Sequence, residues 1–444
     1  MSVMPVTVLG AGLAGEEAAW QIATRGVPVR LVEMKPTRMS PAHHSPDFAE
    51  LCCSNSLRSD SLSNAVGLLK EEMRRMDSLI LQAADATRVP AGSALAVDRA
   101  LFAQYVTERV RNHPLIEVEE READEIPAQG VCVVATGPLT SDALADEIVS
   151  FTGKDGLYFY DAVAPIVEFS SIDMDVAFFA SRYDKGDADY INCPMTREQY
   201  DAFYTALTTA REAELKEFDR EGQKSPKVFE GCMPVEIMAR RGYDTLRYGP
   251  LKPVGLIDAR TGRESYAVVQ LRKENKEGTM YNLVGFQTHL AFPEQKRVFS
   301  MIPGLENANF LRYGVMHRNT YLHSPGFLDA TYATLARPTL FFAGQMTGVE
   351  GYIESAGSGL VAGINAARTA RGMAPLCFPR HTMLGAMAAY VAEGALGNFV
   401  PMNANFGIVE RLDHKVRGGK AARNEAISAR ALAALDTVID DAKS

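Results

Sequence analysis

Hydrophobic and polar positions are patterned most clearly at the start of the chain, where residues 4–33 predict a strand, a helix and a second strand. The short β-branched run VTVLG is typical of a buried parallel strand. The turn GAGLAG follows, then the helical stretch EEAAWQIATRG, which ends at Gly26, and then the strand VPVRLVE. The pattern therefore predicts a β-turn-α-β unit.

The same style of pattern returns twice further along the chain. Residues 95–137 predict a helix, DRALFAQYVTERVRNH, followed by the strands LIEVEE and VCVVATG. Residues 337–368 predict another strand, turn and helix, and further helices follow near 380–395 and 421–441.

Between about residues 150 and 330 the pattern differs. It predicts the strands LYFYDAVAPIVEF, ESYAVVQL and MYNLVGF, together with a charged helix around 197–220. We therefore predict an α/β fold in two parts. Residues 1–150 and 331–444 form a discontinuous Rossmann-like domain, and residues 151–330 form an inserted α+β domain rich in antiparallel strands.

Composition adds limits to this picture. The 444 residues are 47% hydrophobic and 23% charged, as in ordinary globular proteins, and the formal net charge is −9. A protein of this charge does not bind a polyanion with its whole surface, so any basic site must be a local patch. No apolar run approaches the roughly 18 residues of a membrane span. The N-terminus runs directly into a strand, and we predict a cytoplasmic protein without a membrane partner or targeting segment.

Six cysteines are too few for a disulfide framework in a chain of this length. They form no CxxC pair and no Cys/His cluster with zinc spacing, so we predict no metal site. Free thiols fit a reducing compartment. The cysteines are Cys52, Cys53, Cys132, Cys193, Cys232 and Cys377.

The turn GAGLAG has the GxGxxG spacing of a dinucleotide-binding turn. Gly10 permits the tight turn, Gly12 lets a pyrophosphate approach the backbone, and Gly15 lets helix and strand pack closely. Glu33 follows Gly10 by 23 residues and ends the second strand, where a carboxylate binds ribose hydroxyls and disfavours a 2′-phosphate. A glycine-rich turn without a ligand is the alternative. The residues predicted to bind the dinucleotide here are Gly10, Ala11, Gly12, Leu13, Ala14, Gly15 and Glu33.

Two later strands indicate which dinucleotide. VCVVATG and LFFAGQ each end in a small-residue turn, and with the first turn they resemble the two-dinucleotide-binding flavoproteins. That resemblance implies FAD, with Gly344, Gln345 and Met346 in the late turn and the helix after GVEGYIESAG facing the flavin pyrimidine. Gln345 replaces the aspartate usual in that architecture, which indicates a subfamily.

The cysteines offer two chemical interpretations and a structural one. Adjacent Cys52 and Cys53 suggest a flavin disulfide reductase, although a bridge between neighbours needs a strained peptide. Cys232 is followed by Arg240 and Arg241, and positive charge favours a thiolate. A buried structural cysteine is the alternative for Cys232 and the preferred interpretation for Cys132 and Cys377; Cys193 is ambiguous.

Five motifs in one order resemble the folate- and FAD-dependent tRNA (uracil-5-)-methyltransferase family, within the wider GidA-related flavoproteins. These motifs are GAGLAGEEAAWQIATRGVPVRLVEMKP, LCCSNSLRSD, FEGCMPVEIMARRG, YNLVGFQTHL and FFAGQMTGVEGYIESAGSGLVAGINAAR. The resemblance spans nearly the whole chain. It implies formation of 5-methyluridine in the T-loop of tRNA, at uridine-54. The carbon comes from 5,10-methylenetetrahydrofolate, and NADH or NADPH reduces FAD.

The resemblance also implies residue roles. Cys232 corresponds to the thiolate that adds to C6 of uracil, and Cys53 to a second essential thiol that acts as a base or manages the adduct. Cys52 departs from the family pattern, and we interpret it as a bystander, a cysteine without a role in the reaction. Tyr352 corresponds to an aromatic residue beside the flavin, and its alternative role is to fill the core.

An RNA substrate requires basic patches. We predict Arg240 and Arg241 for one patch, and Lys415, Arg417 and Lys420, within the basic stretch 411–430, for the other. The alternative interpretation of residues 411–430 is a solvent-exposed helix face that binds no RNA.

Two other functions stay open on the residues alone. One is the flavin-dependent disulfide reductase that uses Cys52 and Cys53. The other is a non-catalytic flavin-binding scaffold that holds tRNA. Loss of activity on replacing Cys52 would favour the first, and RNA binding without a product the second.

Overall fold

The computed structural model describes most of the chain. The described residues are 3–40, 42–152, 157–162, 164–184, 187–213, 233–258, 260–275, 278–314, 316–394, 399, 401–414 and 416–444.

The strands are short, most of them three to seven residues. They are β1 (Val6–Leu9), β2 (Val29–Glu33), β3 (Ser56–Ser59), β4 (Arg88–Val89), β5 (Ala94–Val97), β6 (Ile116–Glu120), β7 (Cys132–Val134), β8 (Leu157–Ala162), β9 (Ile166–Glu168), β10 (Phe178–Ala180), β11 (Tyr190–Met195), β12 (Ile257–Asp258), β13 (Arg263–Glu264), β14 (Ala267–Lys273), β15 (Met280–Leu283), β16 (Phe310–Arg312), β17 (Met316–Tyr321) and β18 (Leu340–Phe342).

The helices vary more in length. They are α1 (Leu13–Thr24), α2 (Ala65–Arg75), α3 (Leu79–Ala86), α4 (Arg99–Arg111), α5 (Asp142–Thr152), α6 (Arg197–Thr209), α7 (Val235–Arg240), α8 (Thr245–Tyr248), α9 (Phe292–Phe299), α10 (Tyr352–Ala370), α11 (Met383–Glu393), α12 (Gly419–Asp436) and α13 (Ile439–Lys443).

A five-stranded parallel sheet in the order β18-β7-β1-β2-β6 carries the predicted Rossmann-like unit. In the middle of the sheet Val8 lies between Leu31 of β2 and Val133 of β7. The chain adds β2 and β6 on one side of β1 and later places β7 and β18 on the other. The strand order therefore reverses between β1 and β7, and in such sheets the ligand crevice opens at the carboxyl ends of those strands.

Helices α1 and α10 pack face to face because glycines remove the side chains between them. A Cβ atom on Gly359 would lie 2.2 Å from the carbonyl oxygen of Ala14, and one on Gly363 would lie 2.6 Å from that of Ala18. The close packing fixes the start of α10 beside the glycine-rich turn.

A six-stranded antiparallel sheet, β10-β11-β14-β15-β9-β16, forms the second layer. The stretch LYFYDAVAPIVEF, predicted as one strand, contributes β9 to this sheet and β8 to a separate pair with β17. Pro165 lies at the break, where it has no N–H to give to a ladder. The antiparallel content predicted for this part of the chain is confirmed.

The charged helix predicted around 197–220 is shorter than the pattern indicated. A capping box between Thr196 and Gln199 starts α6, and the helix ends at Thr209. Glu212 then forms a bridge with Leu290 in extended conformation. Residues 214–220 lie outside the described residues.

Two hydrophobic clusters occupy the interior. The first surrounds the parallel sheet and draws residues from Val6 to Ile148 and from Leu322 to Ala442. The second lies against the antiparallel sheet and draws residues from Val167 to Ala308. These clusters support the division into 1–150 with 331–444 and 151–330, which stays a prediction. In the described part of the chain, no helix has both the length and the apolar character needed to cross a bilayer.

Candidate active site

The glycine-rich turn joins β1 to α1 at the reversal of strand order. Gly10 has a φ of +96°, and a Cβ there would lie 2.7 Å from the carbonyl oxygen of Ala135. A Cβ on Gly15 would lie 1.8 Å from the carbonyl oxygen of Gly10, whereas one on Gly12 would meet nothing within 4 Å. The turn therefore packs tightly at its two ends and is open in the middle, where a ligand can approach the backbone.

Glu33 ends β2 beside this turn and is 7% exposed. One oxygen of its carboxylate accepts the N–H of Ala11 at 2.7 Å, and the other accepts the N–H of Lys35 at 2.9 Å. A carboxylate has about four acceptor positions, so lone pairs remain for ligand hydroxyls. The contact with Ala11 shows that Glu33 also holds the turn in shape.

A cavity extends from the turn over the carboxyl ends of the parallel strands. The predicted residues on its wall are Gly10, Ala11, Gly12, Leu13, Ala14, Glu33, Gly344, Gln345, Tyr352 and Cys53. Cys52 and the turn that ends VCVVATG (Ala135, Thr136 and Gly137), which the sequence patterns did indicate, also lie on this wall. Residues on the wall that the patterns did not single out are Met34, Lys35, Ala42, His43, Glu50, Pro138, Leu139 and Ser355. Their common position after β2 or β7 is a signal that could have found several of them.

A second, smaller cavity adjoins the first and shares Gly10, Glu33 and Thr136 with it. It is lined by Ala123, Thr136 and Leu144, at the carboxyl ends of β6 and β7 and on α5. The two cavities therefore adjoin at Gly10 and Glu33. Two adjoining cavities at a glycine-rich turn suit a ligand with two ring systems joined by a pyrophosphate.

Four predicted residues lie at the back of the glycine-rich turn or in the late turn. Gly15 packs against Gly10 behind it, as described above. Gly344 donates its N–H to the hydroxyl oxygen of Ser358 at 2.7 Å, and Met346 is buried. The side-chain amide of Gln345 donates to both carboxylate oxygens of Glu350 at 3.2 Å, so its side chain is already engaged.

Cys53 and Tyr352 meet at the end of the cavity near the start of α10. The Tyr352 hydroxyl oxygen accepts the N–H of Cys53 at 2.7 Å and that of Ser54 at 3.3 Å, and it lies 2.9 Å from the Cys53 sulfur. Burial raises the pKa of Tyr352 well above its usual value, so the phenol keeps its proton. Because two N–H groups already donate to the oxygen, the hydroxyl can donate its own hydrogen to the Cys53 sulfur, a contact that would position the thiol.

Cys52 differs from its neighbour. Burial, followed by the Glu50 carboxylate, raises the pKa of its thiol to about 12. All five cysteines in the described residues are free, so Cys52 and Cys53 are not bridged. A thiol that stays protonated at neutral pH is a poor nucleophile, which is consistent with the bystander role. Cys132 is buried as predicted, whereas the prediction of a buried Cys377 is wrong, because that residue is exposed.

Three arginines hold the segment that carries these cysteines. Arg99 donates to the carbonyl oxygens of Leu51 and Cys52 at 2.6 and 3.0 Å. Arg312 donates to the same Cys52 oxygen at 2.8 Å, and Arg272 donates to the Ser54 hydroxyl at 2.7 Å. Sequence reasoning missed all three, because they come from three distant elements and match no local motif.

Cys232 and Lys415 lie outside the described residues, so their predicted roles stay predictions. Described residues on both sides of 214–232 contact one short segment: Ala213 donates its N–H to the carbonyl oxygen of His289, and Val235 donates to that of Gln287.

The predicted basic residues differ in their surroundings. Arg240 forms an ion pair with Glu212, and Arg241 is exposed. Arg417 and Lys420 are exposed at the start of α12. No group of three potential metal-ligating His, Cys, Asp or Glu side chains occurs among the described residues.

Comparison with known proteins identifies the family. The sequence model of the family "Glucose inhibited division protein A" matches residues 5–374. A protein of Ligilactobacillus salivarius named Methylenetetrahydrofolate--tRNA-(uracil-5-)-methyltransferase TrmFO is 60% identical over 427 residues, 96% of each chain. A protein of the same name from Heliobacterium modesticaldum is 60% identical over 433 residues, 98% of this chain and 97% of that one.

A solved structure agrees on the fold. Aquifex aeolicus GidA superposes with a TM-score of 0.69 at 17% identity, over 99% of this chain and 74% of that one. The predicted α/β class, with a Rossmann-like unit and an antiparallel-rich part, is confirmed, and so is the family resemblance. The chain therefore belongs to the glucose inhibited division protein A family and, within it, to the methylenetetrahydrofolate--tRNA-(uracil-5-)-methyltransferases named TrmFO.

Proposed function

We propose that this protein methylates C5 of a tRNA uridine with a one-carbon unit from 5,10-methylenetetrahydrofolate. The observation that carries the proposal is that relatives about 60% identical over nearly the whole chain bear this one enzyme name. Their shared name favours a transferase over the disulfide reductase and over the non-catalytic scaffold. The buried Cys52 thiol, whose pKa burial raises to about 12, also weighs against the reductase, because thiol–disulfide exchange needs a thiolate.

We propose FAD as the bound dinucleotide, and the residues present fit it. The N-terminus of α1 has no side-chain cap and faces the open middle of the turn at Gly12, which suits a pyrophosphate. Glu33 has lone pairs left for ribose hydroxyls, and the smaller cavity beside it suits the adenine. When bound, FAD would supply the electrons that turn the transferred methylene carbon into a methyl group.

The protein's own residues would prepare the uracil. By family resemblance Cys232 adds to C6 and makes C5 nucleophilic, and a base later removes the C5 proton. We assign that base, or the partner thiol that assists it, to Cys53. Its contact with the Tyr352 hydroxyl supports the assignment, because the hydroxyl positions the sulfur at the end of the cavity and can donate a hydrogen bond to a thiolate there.

Three finer features belong to the same proposal. The target is uridine-54 in the T-loop of the tRNA T-arm, the reductant is NADH or NADPH, and the reaction takes place in the cytoplasm. Each follows from the family resemblance, and the choice between NADH and NADPH stays open.

One incubation tests the reaction class. The purified flavoprotein is supplied with tRNA lacking 5-methyluridine, with methylenetetrahydrofolate labelled in its transferable carbon, and with NADH or NADPH. We expect the label in 5-methyluridine after nucleoside digestion, and its loss when uridine-54 of the transcript is replaced by cytidine. Labelled product from the cytidine transcript would disprove the assigned position, and an unlabelled product pool would disprove the function.

A further inference from the structure

A groove lies between the segment 404–414 and helix α12, away from the dinucleotide cavity. It encloses about 810 Å³, and its wall includes Phe406, Arg411, His414, Lys420 and Arg423. A shallower hollow of about 430 Å³ shares Phe406, Lys420 and Arg423 and continues to residues 63–65. The two form one continuous channel on the surface of the first cluster, which we call the α12 groove.

The cations of the α12 groove are exposed and unpaired. Arg411, Lys420 and Arg423 have no ion pair and no side-chain hydrogen bond with any residue that the structure describes. Some exposed arginines elsewhere are engaged, for example Arg297 with Glu294 and Arg240 with Glu212. Unpaired cations gathered in one concavity, on a protein of net charge −9, indicate a surface for an anionic partner.

The carboxylates near the groove do not neutralise it. Glu410 lies 3.1 Å from the Nε2 atom of His381. Asp413 and Glu425 are exposed and do not line the cavity. The first turn of α12 carries no acidic side chain, so its N–H groups add to the positive potential.

The floor of the groove is formed by buried apolar side chains. Val409 and Ile427 are 4% and 3% exposed, and Phe406 is half-buried at the edge. A channel with an aromatic side chain, an apolar floor and cationic walls suits a sugar-phosphate chain better than a small free anion. Phosphates meet the cations while sugars or bases rest on apolar surface.

The groove is attached to the elements that hold the Cys53 thiol. Ala404 donates its N–H to the carboxylate of Glu354 at 2.8 Å, in the first turn of α10 just after Tyr352. Asn424 and Ser428 of α12 donate to the carbonyl oxygens of Ser63 and Leu62 at 2.9 and 2.7 Å. A chain bound in the groove is therefore held in a fixed relation to the active site.

We propose that the α12 groove binds phosphodiester groups of the RNA substrate through Arg411, Lys420 and Arg423. The proposal rests on the proposed function, and it specifies where the RNA substrate lies on the protein surface. Contacts of this kind position the substrate without reading its sequence, so they contribute affinity rather than choice of the target uridine.

The test compares two charge reversals of equal size. One is Lys420→Glu with Arg423→Glu in the groove. The control is Arg263→Glu with Lys296→Glu, two exposed cations of the inserted domain. Affinity for unmodified tRNA is measured against salt concentration, and 5-methyluridine formation is measured at saturating tRNA. The milder pair Lys420→Gln with Arg423→Gln repeats the measurement if the reversal lowers flavin content.

We expect the groove variant to bind tRNA at least about tenfold more weakly near 0.1 M salt. Its plot of log affinity against log salt should be shallower by one to two units, since each lost phosphate contact removes about 0.7–0.9. Turnover at saturating tRNA should stay within about twofold. The control variant should bind with nearly wild-type affinity and slope.

Two outcomes would contradict the proposed role of the groove. One is an unchanged tRNA affinity of the groove variant. The other is an equal loss of tRNA affinity in the control variant, which would indicate a general charge effect. Failure of the wild-type protein to methylate, with RNA binding still lost only in the groove variant, would overturn the proposed function and support the groove.

Discussion

The Cys53 thiol shows how one contact sets the character of a residue. Its sulfur lies 2.9 Å from the Tyr352 hydroxyl, which is 299 positions away in the sequence. The sequence indicated a reactive thiol at Cys53 and an aromatic residue at Tyr352, both by family resemblance. It could not indicate their contact, because nothing local to either residue encodes it.

We expect Tyr352→Phe to move the alkylation of Cys53 to higher pH, because a thiolate there would lose a hydrogen-bond donor. The measurement is the rate of alkylation of Cys53 against pH, followed by peptide mass spectrometry. The control is Tyr332→Phe, which removes the hydroxyl of another buried tyrosine and should leave the curve in place. An unshifted curve for Tyr352→Phe would contradict the proposed role of its hydroxyl.

Cys52 should behave in the opposite way. Its thiol has a pKa of about 12 and is protonated at neutral pH. We therefore expect Cys52→Ala to keep 5-methyluridine formation within about twofold of wild type, whereas Cys53→Ala should lower it by two or more orders of magnitude. Bound flavin with abolished turnover in Cys52→Ala would return the disulfide reductase to consideration.

At the scale of elements, the glycines of the glycine-rich turn have different structural roles. A Cβ on Gly15 would overlap the backbone of Gly10, whereas one on Gly12 would point into open space. Gly15→Ala should therefore prevent stable folding, while Gly12→Ala should fold but obstruct the ligand.

The matched pair separates folding from cofactor binding. We expect Gly12→Ala to retain the circular dichroism of the wild type, with most of the bound flavin absorbance lost. Gly15→Ala should be found mainly in the insoluble fraction. Full flavin content in Gly12→Ala would show that the ligand does not approach the turn there.

Local elements were the most predictable part of the fold. The β-turn-α-β unit and its glycine roles follow from short-range patterns, and the structure has them at β1, α1 and β2. The hydrophobic pattern could not show that LYFYDAVAPIVEF divides between two sheets at Pro165, because both halves are equally apolar. The helix from Arg197 ends at Thr209 for tertiary reasons, since the next residues pair with the strand-like segment at Leu290.

At the scale of the whole molecule, a polar network joins the two hydrophobic clusters. Arg99 of α4 donates to Glu274 at 2.6 Å, and Asn282 of β15 donates to the same carboxylate. Asn55, which is fully buried, accepts from Arg272 at 3.0 Å. The network lies directly beside the segment that carries Cys53. The sequence could not predict it, since partners 175 to 217 positions apart leave no local pattern.

Breaking this network should lower the free energy of unfolding more than breaking an ion pair at the surface does. The Glu274 side chain is 1% exposed, so Glu274→Gln leaves the largely buried Arg99 without its counter-charge. We expect a loss of about 3 kcal/mol in the free energy of unfolding, measured by denaturant titration. Glu294→Gln, which breaks a pair with a half-exposed arginine, is the control and should cost little. Equal losses in both variants would argue against the network as the link between the clusters.

Glu33 constrains how this enzyme could be redesigned. Exchanging the acidic residue at the end of the second strand is the usual route by which a nucleotide site comes to accept a phosphorylated ribose. Here the same carboxylate anchors the backbone amides of Ala11 and Lys35. A neutral residue in place of Glu33 would remove the charge repulsion toward a phosphorylated ribose. The same substitution would loosen the glycine-rich turn, because it removes the acceptors of the two N–H groups. A change of ligand preference would need a compensating substitution that restores those two acceptors.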